Sequence, residues 1–276
     1  MTLAPVHRLP DPPPARGYSL TRMDTVKASA IEWLVPGRVP MGGLTVVAGP
    51  PGQGKSQFTL MLAAKVTTGD EPAPVILIGA EDGLADTVRP RLIAAGADSS
   101  LVHSYRAKGA HGDELMMLPT DVPLLEEAVM STGAQLVVVD PFAAFLAPEL
   151  NAMSDHSLRQ ATAPLAQMAQ RTHCAVVVVS HLRKSREGST LDRVAGSVGL
   201  TGQARSVLLM GRAKDSTPMT RNERYLVHVK SNGAQLADTM VFEILGRSVE
   251  ADGLWIDTSA IGWVRTDPEV NAHDIE

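Results

Sequence analysis

The chain has 276 residues, 44% apolar and 20% charged, which suits one large domain or two small ones with a real core and excludes wholesale disorder. Only 4% are aromatic, so Val, Leu, Ile, Ala and Met must fill that core, which favours α/β packing over an aromatic-rich sandwich. The net charge of −5 excludes a global basic field, and the single cysteine, Cys174, excludes an intramolecular disulfide framework and a multi-cysteine zinc site.

In chain order, Pro10, Pro12, Pro13 and Pro14 make residues 1–17 a stiff extended arm, either a plain tail or a strap for a neighbouring subunit. The N-terminus lacks the apolar segment of a signal peptide, and no uncharged apolar run reaches the ~18 residues of a membrane helix. A cytoplasmic protein without membrane contact is expected. A short helix is predicted within residues 19–35, ending at Pro36. From Leu44 a rhythm begins. The runs 44–48, 75–78, 136–139 and 175–179 are continuously apolar, as strands buried on both faces are. Helix-like segments 55–68, 84–95, 123–130 and 156–172 alternate with them, and Gly96 is a plausible C-cap for the second. Alternation of this kind implies right-handed crossovers and a mostly parallel twisted sheet flanked by helices. After residue 205 the short runs 206–210, 225–229, 240–245 and 262–264 predict an antiparallel extension of the same sheet. The expected organisation is an appendage over 1–40, one α/β domain over 41–265 and an acidic tail over 266–276.

Charge is unevenly spread. Residues 181–230 hold ten Lys/Arg against four Asp/Glu, a net +6, whereas 231–276 hold two against nine, a net −7. A basic block therefore hides behind an acidic average.

Gly49, Pro50, Pro51, Gly52, Gln53, Gly54, Lys55 and Ser56 match G-x-x-x-x-G-K-[ST] in full, with Gln57 following. A strand precedes the motif and a helix follows, the context in which backbone N–H groups curl around an anion. Lys55 supplies a point charge to the β- and γ-phosphates, and Ser56 offers a hydroxyl to Mg²⁺. Asp140 ends an apolar strand, as a Walker B acid does, and can hold the magnesium directly or through water. Glu81 and Asp82 follow the strand 75–78. Glu81 is the better general base for the attacking water, and Asp82 suits the N-cap of the next helix. His181 closes the fourth apolar strand, where it can sense the γ-phosphate. His103, His111, His156, His173 and His228 show no metal-ligand spacing. Phe142 and Phe145 are the aromatics near the strand ends, and either core packing or base stacking would use them.

Together these residues resemble a family. The order of the phosphate loop, Glu81-Asp82, the strand ending at Asp140, Ser180-His181-Leu-Arg-Lys and the Gly196-Ser197 to Arg205 block is similar to RecA/DnaB-like P-loop ATPases over about residues 40–245. It most resembles the RepA-type hexameric replicative helicases of plasmids and related phage ATPases. The resemblance implies a RecA-like core, ATP and Mg²⁺ as cofactors, and Lys55, Glu81, Asp140, His181 and Arg205 as catalytic residues. In it Arg205 is an arginine finger reaching a neighbour's nucleotide, and Lys230 lies where a second trans-acting cation stands. Arg89 or Arg91 falls where an arginine flanks the bound base, and Arg89 is counted with the nucleotide ligands. Arg183, Lys184, Arg186 and Arg193 lie on a loop expected to face a central pore and to track single-stranded DNA. The resemblance includes no primase or zinc segment and no large N-terminal domain, which implies a bare motor or a regulatory ATPase. The expected assembly is a homo-oligomer, hexameric by preference, acting with a replication or recombination partner. Two alternatives stand beside the translocase or helicase: a RecA-like recombination or loading ATPase without unwinding, and a nucleotide-dependent switch acting on a protein partner.

Overall fold

The structure is a computed structural model that describes residues 18–109, 112–181, 198–215, 217, 220 and 222–275. Residues 18–30 form a unit of their own with a single 3-10 turn, Met23–Thr25, braced by Arg22 and Asp24. The helix expected over 19–35 is therefore absent. One turn fixes several dihedrals for one hydrogen bond, and a short segment rich in Ser, Thr and Val does not offset that cost.

The compact unit spans Ile31–Glu276. It opens with a small hairpin, β1 (Trp33–Val35) and β2 (Val39–Pro40), folded back at Gly37 with φ 67°. There follow β3 (Leu44–Gly49), α1 (Lys55–Thr68), β4 (Val75–Gly79) and α2 (Arg89–Ala94), the last entered through a π turn at Leu84–Val88. Next come β5 (Val102–Ser104), a hairpin of β6 (Ala107–Gly109) and β7 (Gly112–Glu114), α3 (Val122–Thr132), β8 (Leu136–Asp140), α4 (Asp155–Thr172) and β9 (Ala175–His181). The described chain closes with α5 (Val198–Gln203), β10 (Ser206–Gly211), β11 (Glu223–Ser231), β12 (Thr239–Ala251) and β13 (Leu254–Asp267).

Nine strands form one sheet in the order β13-β12-β11-β10-β3-β9-β8-β4-β5. The six from β10 to β5 run parallel, and β10 through β13 pair antiparallel. This is the expected α/β architecture with its antiparallel extension. Period-two alternation divides the apolar strand residues between two cores. Leu44, Val46, Val137, Val139, Val176 and Val178 pack with α3, α4 and α5 on one face. Val47, Val75, Leu136, Val138, Val177 and Phe58 pack with α1 and α2 on the other. Both faces are covered, which is why the strands read as unbroken apolar runs.

The last two strands exceed their predicted length. β12 and β13 run on past the sheet as a two-stranded arm to a turn at Asp252 (φ 53°) and Gly253 (φ 78°). The arm contacts α1 and α2, and Phe242 stacks on Phe58 with ring centroids 6.4 Å apart. Near the C-terminus Ile275 is 4% exposed and bridges to Ala213. No helix among the described residues is long and apolar enough to cross a membrane.

Candidate active site

Strand register brings four singled-out groups to one edge of the sheet. Gly49 lies opposite His181 and Gly79 opposite Asp140, so the phosphate loop, Glu81-Asp82, Asp140 and His181 all leave the sheet at carboxyl ends of parallel strands. That edge is where open α/β sheets bind ligands.

The loop turns through Gly52 at φ 72° and Gly54 at φ 93° before α1 begins at Lys55. Glycine adopts such angles without steric cost. At Gly54 a Cβ would also lie 2.3 Å from Ile244 Cδ1, so β12 closes directly on the loop. Pro51 and Gly52 are exposed, and Gln53 is half-buried. Lys55 is 4% exposed, and its Nζ donates to the carbonyls of Gly49 at 2.9 Å and Pro50 at 2.8 Å. His181 Nδ1 lies 3.3 Å from the same Nζ. Burial lowers the Lys55 pKa, and the charges of Asp140 and Glu81 oppose that shift. A buried ammonium needs partners. Here neutral carbonyls and an imidazole supply them, and triphosphate oxygens, being charged, would replace them favourably.

Burial pushes the Asp140 carboxyl above the usual carboxylate range. A hydrogen bond from Ser56 and the charge of Lys55 oppose the rise, while Glu81 and Asp82 add to it. Ser56 and Asp140 are hard oxygen donors, the type that suits Mg²⁺, and a dication beside them would relieve the repulsion among these acids. No group of three or more His, Cys, Asp or Glu among the described residues could hold a metal alone.

Beside Asp140 lies a cavity of about 60 Å³, large enough for a few waters, with Ser56, Glu81 and Asp82 among its polar lining and Leu60, Leu77 and Val138 among a larger apolar part. Asp82 does not cap the following turn, whose N-cap is Gly83; it pairs with Arg91 at 2.8 Å. Glu81 has no ion-pair partner among the described residues, so the two neighbouring acids are distinguished by Arg91. Arg91 is thereby committed to Asp82. Arg89 makes a two-pronged pair with Asp252 at the tip of the β12–β13 arm. Gln57, 8% exposed, turns toward the same arm and donates to Ser259 Oγ at 2.7 Å.

Arg205 and Lys230 come together elsewhere. Arg205 immediately precedes β10, its N–H donates to Leu44 O at 2.8 Å, and its carbonyl accepts from Asn232 N–H at 2.9 Å. Lys230 pairs in register with Val207, and its Nζ donates to the carbonyls of Thr201 at 2.6 Å and Ala204 at 2.8 Å, capping the end of α5. Burial lowers the Lys230 pKa and the charge of Arg205 lowers it further. Arg205 is level with the start of β3, and Lys230, opposite Val207 and through it Val46, is level with its middle, whereas the phosphate loop leaves its far end. Five residues at about 3.3 Å each put Arg205 about 16 Å along the strand from its own chain's loop, and three put Lys230 about 10 Å from it. The Arg205 side chain is exposed there. Arg183, Lys184, Arg186 and Arg193 lie outside the described residues. Phe142 and Phe145 are 2% and 1% exposed, so both belong to the core.

The sequence reading passed over Arg106, whose Nη1 donates to Gly79 O at 2.6 Å, and the arm residues Ile244, Asp252 and Ser259. Strand β5 before Arg106 has three residues and no apolar run, so nothing in the sequence marked it.

Residues 10–187, well over half of the chain, match the AAA domain family AAA_25. Over 225 residues the chain is 25% identical to DNA repair protein RAD51 homolog 2 of Homo sapiens, covering 70% of this chain and 57% of that protein. Over 166 residues it is 29% identical to DNA repair protein RadA of Halalkalibacterium halodurans, covering 59% of this chain and 33% of RadA. The chain thus spans between a third and three-fifths of these relatives' length. Its fold matches the ATPase domain of G40P with a TM-score of 0.55 at 16% identity, covering 78% of this chain and 84% of that one. A DnaB-like replicative helicase, in a structure addressing its interactions with primase, matches with a TM-score of 0.57 at 16% identity, covering 85% of this chain and 65% of that one. The family match places the chain in the AAA domain family, and the fold and homologues together make it a RecA/DnaB-like P-loop ATPase.

Proposed function

We propose that the protein is a Mg²⁺-dependent ATP hydrolase that works as a homo-oligomer, hexameric by preference, and couples hydrolysis to movement along single-stranded DNA. The observation that carries this reading is the separation of the cations from the loop. Arg205 sits at the edge of the sheet opposite Lys55, about 16 Å along β3 from its own phosphate loop, with Lys230 beside it. A cation that serves the phosphates from that edge serves those of a second copy. Such a heterologous contact, repeated, closes a ring or extends a filament.

Each residue then has a role within reach of its position. Lys55 exchanges its carbonyl partners for the β- and γ-phosphates. Ser56 and Asp140 would hold Mg²⁺, which neutralises charge on the phosphates when bound. Glu81 takes a proton from the attacking water, held in the cavity next to Asp140. His181, in contact with Lys55, registers the exchange and passes it to the loop beyond β9. Arg205 of the neighbouring copy stabilises the charge that spreads over the transferred phosphoryl group, an effect worth ~10³–10⁵ in rate. Arg183, Lys184, Arg186 and Arg193 contact the DNA backbone without reading sequence. The net +6 of residues 181–230 supports that placement.

The names of the curated relatives favour a second reading, a repair or recombination ATPase that acts on DNA without unwinding it. The test is steady-state ATP hydrolysis with and without single-stranded DNA, with Lys55→Ala as the blank. Stimulation by DNA that is lost in Arg183→Ala/Lys184→Ala/Arg186→Ala supports a DNA-coupled enzyme. Hydrolysis indifferent to DNA sinks both DNA readings and leaves the switch acting on a protein partner. Displacement of a labelled strand then separates helicase from recombination-type ATPase.

A further inference from the structure

β4 delivers Glu81 to the cavity, but the ladder that holds β4 stops short of it. The last β4–β5 pair is Leu77 with Ser104, closed by Tyr105 N–H donating to Leu77 O at 2.9 Å. The chain then runs on beside β4, and Arg106 comes level with Gly79, two residues before Glu81. Its Nη1 donates to the Gly79 carbonyl at 2.6 Å, a charge-assisted bond that continues the ladder with a side chain where backbone pairing has ended. From the other side, Ala80 N–H donates to Asp140 O at 3.3 Å. The strand end is therefore gripped between Arg106 and β8.

We propose that Arg106 is a positioning residue for hydrolysis: its guanidinium fixes the exit of β4 and so the place from which the Glu81 carboxylate meets the attacking water. The proposal rests on the reading of Glu81 as general base. Two features favour an arginine in this role. Glu81, Asp82 and Asp140 gather three carboxylates on the cavity at this strand end, where a guanidinium is the complementary donor. Arg91 already occupies Asp82. With Arg106 on the preceding carbonyl, the two arginines hold the segment at both ends and leave the Glu81 carboxylate unpaired. Arg106 is half-buried, so its bond is shielded from competing water. Loss of the grip leaves the phosphate loop intact, because that loop leaves β3 rather than β4.

The test uses the full-length chain and compares Arg106→Met, Arg106→Gln and Arg106→Lys, each alone and with Glu81→Gln. Misplacing a catalytic group by about 1 Å costs ~10²-fold, so Arg106→Met lowers kcat about 10- to 100-fold with the KM for ATP within about twofold. Arg106→Lys, which keeps a charged donor, recovers most of the loss, and Arg106→Gln recovers less. In the Glu81→Gln background, read by single turnover, Arg106→Met has no further effect, because it acts through the residue already removed. An unchanged kcat, a loss carried by KM, or an undiminished loss in the Glu81→Gln background overturns the proposal. Hydrogen exchange at residues 79–82 reads the same grip without turnover. Faster exchange in Arg106→Met supports it, and unchanged exchange overturns it. If the wild-type protein does not hydrolyse ATP yet exchange rises in Arg106→Met, the role of Glu81 falls while the grip on β4 stands.

Discussion

If the active site is shared between copies, two inactive variants restore each other. Arg205→Ala removes the cation but keeps an intact phosphate loop, and Lys55→Ala does the converse. The two groups are about 16 Å apart along β3 within one chain, so neither variant can repair itself by side-chain motion. Alone, Arg205→Ala lowers kcat by ~10³-fold or more, because the charge spreading onto the γ-phosphoryl oxygens loses its guanidinium. Its affinity for ATP changes far less, since Lys55, Ser56 and Asp140 remain. In an equimolar mixture with random exchange of subunits, about one interface in four joins an intact loop to an intact Arg205, as the heterologous geometry requires. Steady-state hydrolysis therefore rises from the two blanks to about a quarter of the wild-type rate per site. The assay needs mixed oligomers shown by co-purification of differently tagged copies. Mixed oligomers with activity no greater than the sum of the blanks would refute the shared site. So would Arg205→Ala retaining the wild-type rate.

Asp140→Asn abolishes hydrolysis yet raises the melting temperature of the nucleotide-free protein. Burial raises the folded-state pKa of Asp140, so the native state binds its proton more tightly than the unfolded chain, and the charged form costs stability as pH rises above the unfolded value near 3.9. The gain is about 2–4 °C for each kcal/mol relieved, and it disappears as pH falls below the ordinary carboxylate value; a lowered melting temperature at pH 7 would contradict it. Gly54→Ala loses nucleotide binding in a fluorescent-nucleotide titration, because φ 93° strains any residue with a Cβ and that Cβ would also push the Ile244 Cδ1 methyl aside, and unchanged affinity would show that the loop bends freely. Lys230→Met leaves the carbonyls of Thr201 and Ala204 without their donor and destabilises the protein by about 1–3 kcal/mol in urea unfolding. A loss of hydrolysis without that destabilisation would assign Lys230 to the phosphates of a neighbour instead of to α5.

The parallel core was legible because burial on both faces leaves no alternation to misread. The apolar runs 44–48, 75–78, 136–139 and 175–179 fall within one or two residues of β3, β4, β8 and β9. The failures share a cause. The turn at Met23–Thr25 stands where a helix was expected, and β5 escapes notice because Val102-His-Ser has one apolar residue. The β12–β13 arm reads as two short strands because Arg247, Ser248, Glu250, Asp257 and Thr258 look like loop. Those polar residues are in strands because the arm lies against α1 and α2 and leaves its other side to water. Pairing between distant segments decides such elements, and local pattern does not report it.

The same distinction governs the site. Lys55, Glu81, Asp140 and His181 sit at ends of apolar runs, where the sequence itself marks the edge of the sheet, and the register carries them to one place. Arg205 and Lys230 are 25 positions apart in the chain, and nothing local joins them; the antiparallel turn of β10 onto β11 makes them neighbours. Asp252 and Ser259 reach Arg89 and Gln57 through an arm whose length the sequence hid. Candidate residues placed by being at a strand end are therefore readable, whereas those that brace them are not. Arg106 belongs to the second kind. Its action depends on one carbonyl of a neighbouring strand, and that contact exists once β5 is laid beside β4. Substitutions that spare every motif can on this account still disable the enzyme, through the braces at Arg106, Arg91 and the β12–β13 arm. Loss of turnover with retained nucleotide affinity would be the signature at Arg106 and Arg91, because each acts on where an acid is held, whereas the arm, which closes on the phosphate loop and holds Arg89 and Gln57, would also show in affinity.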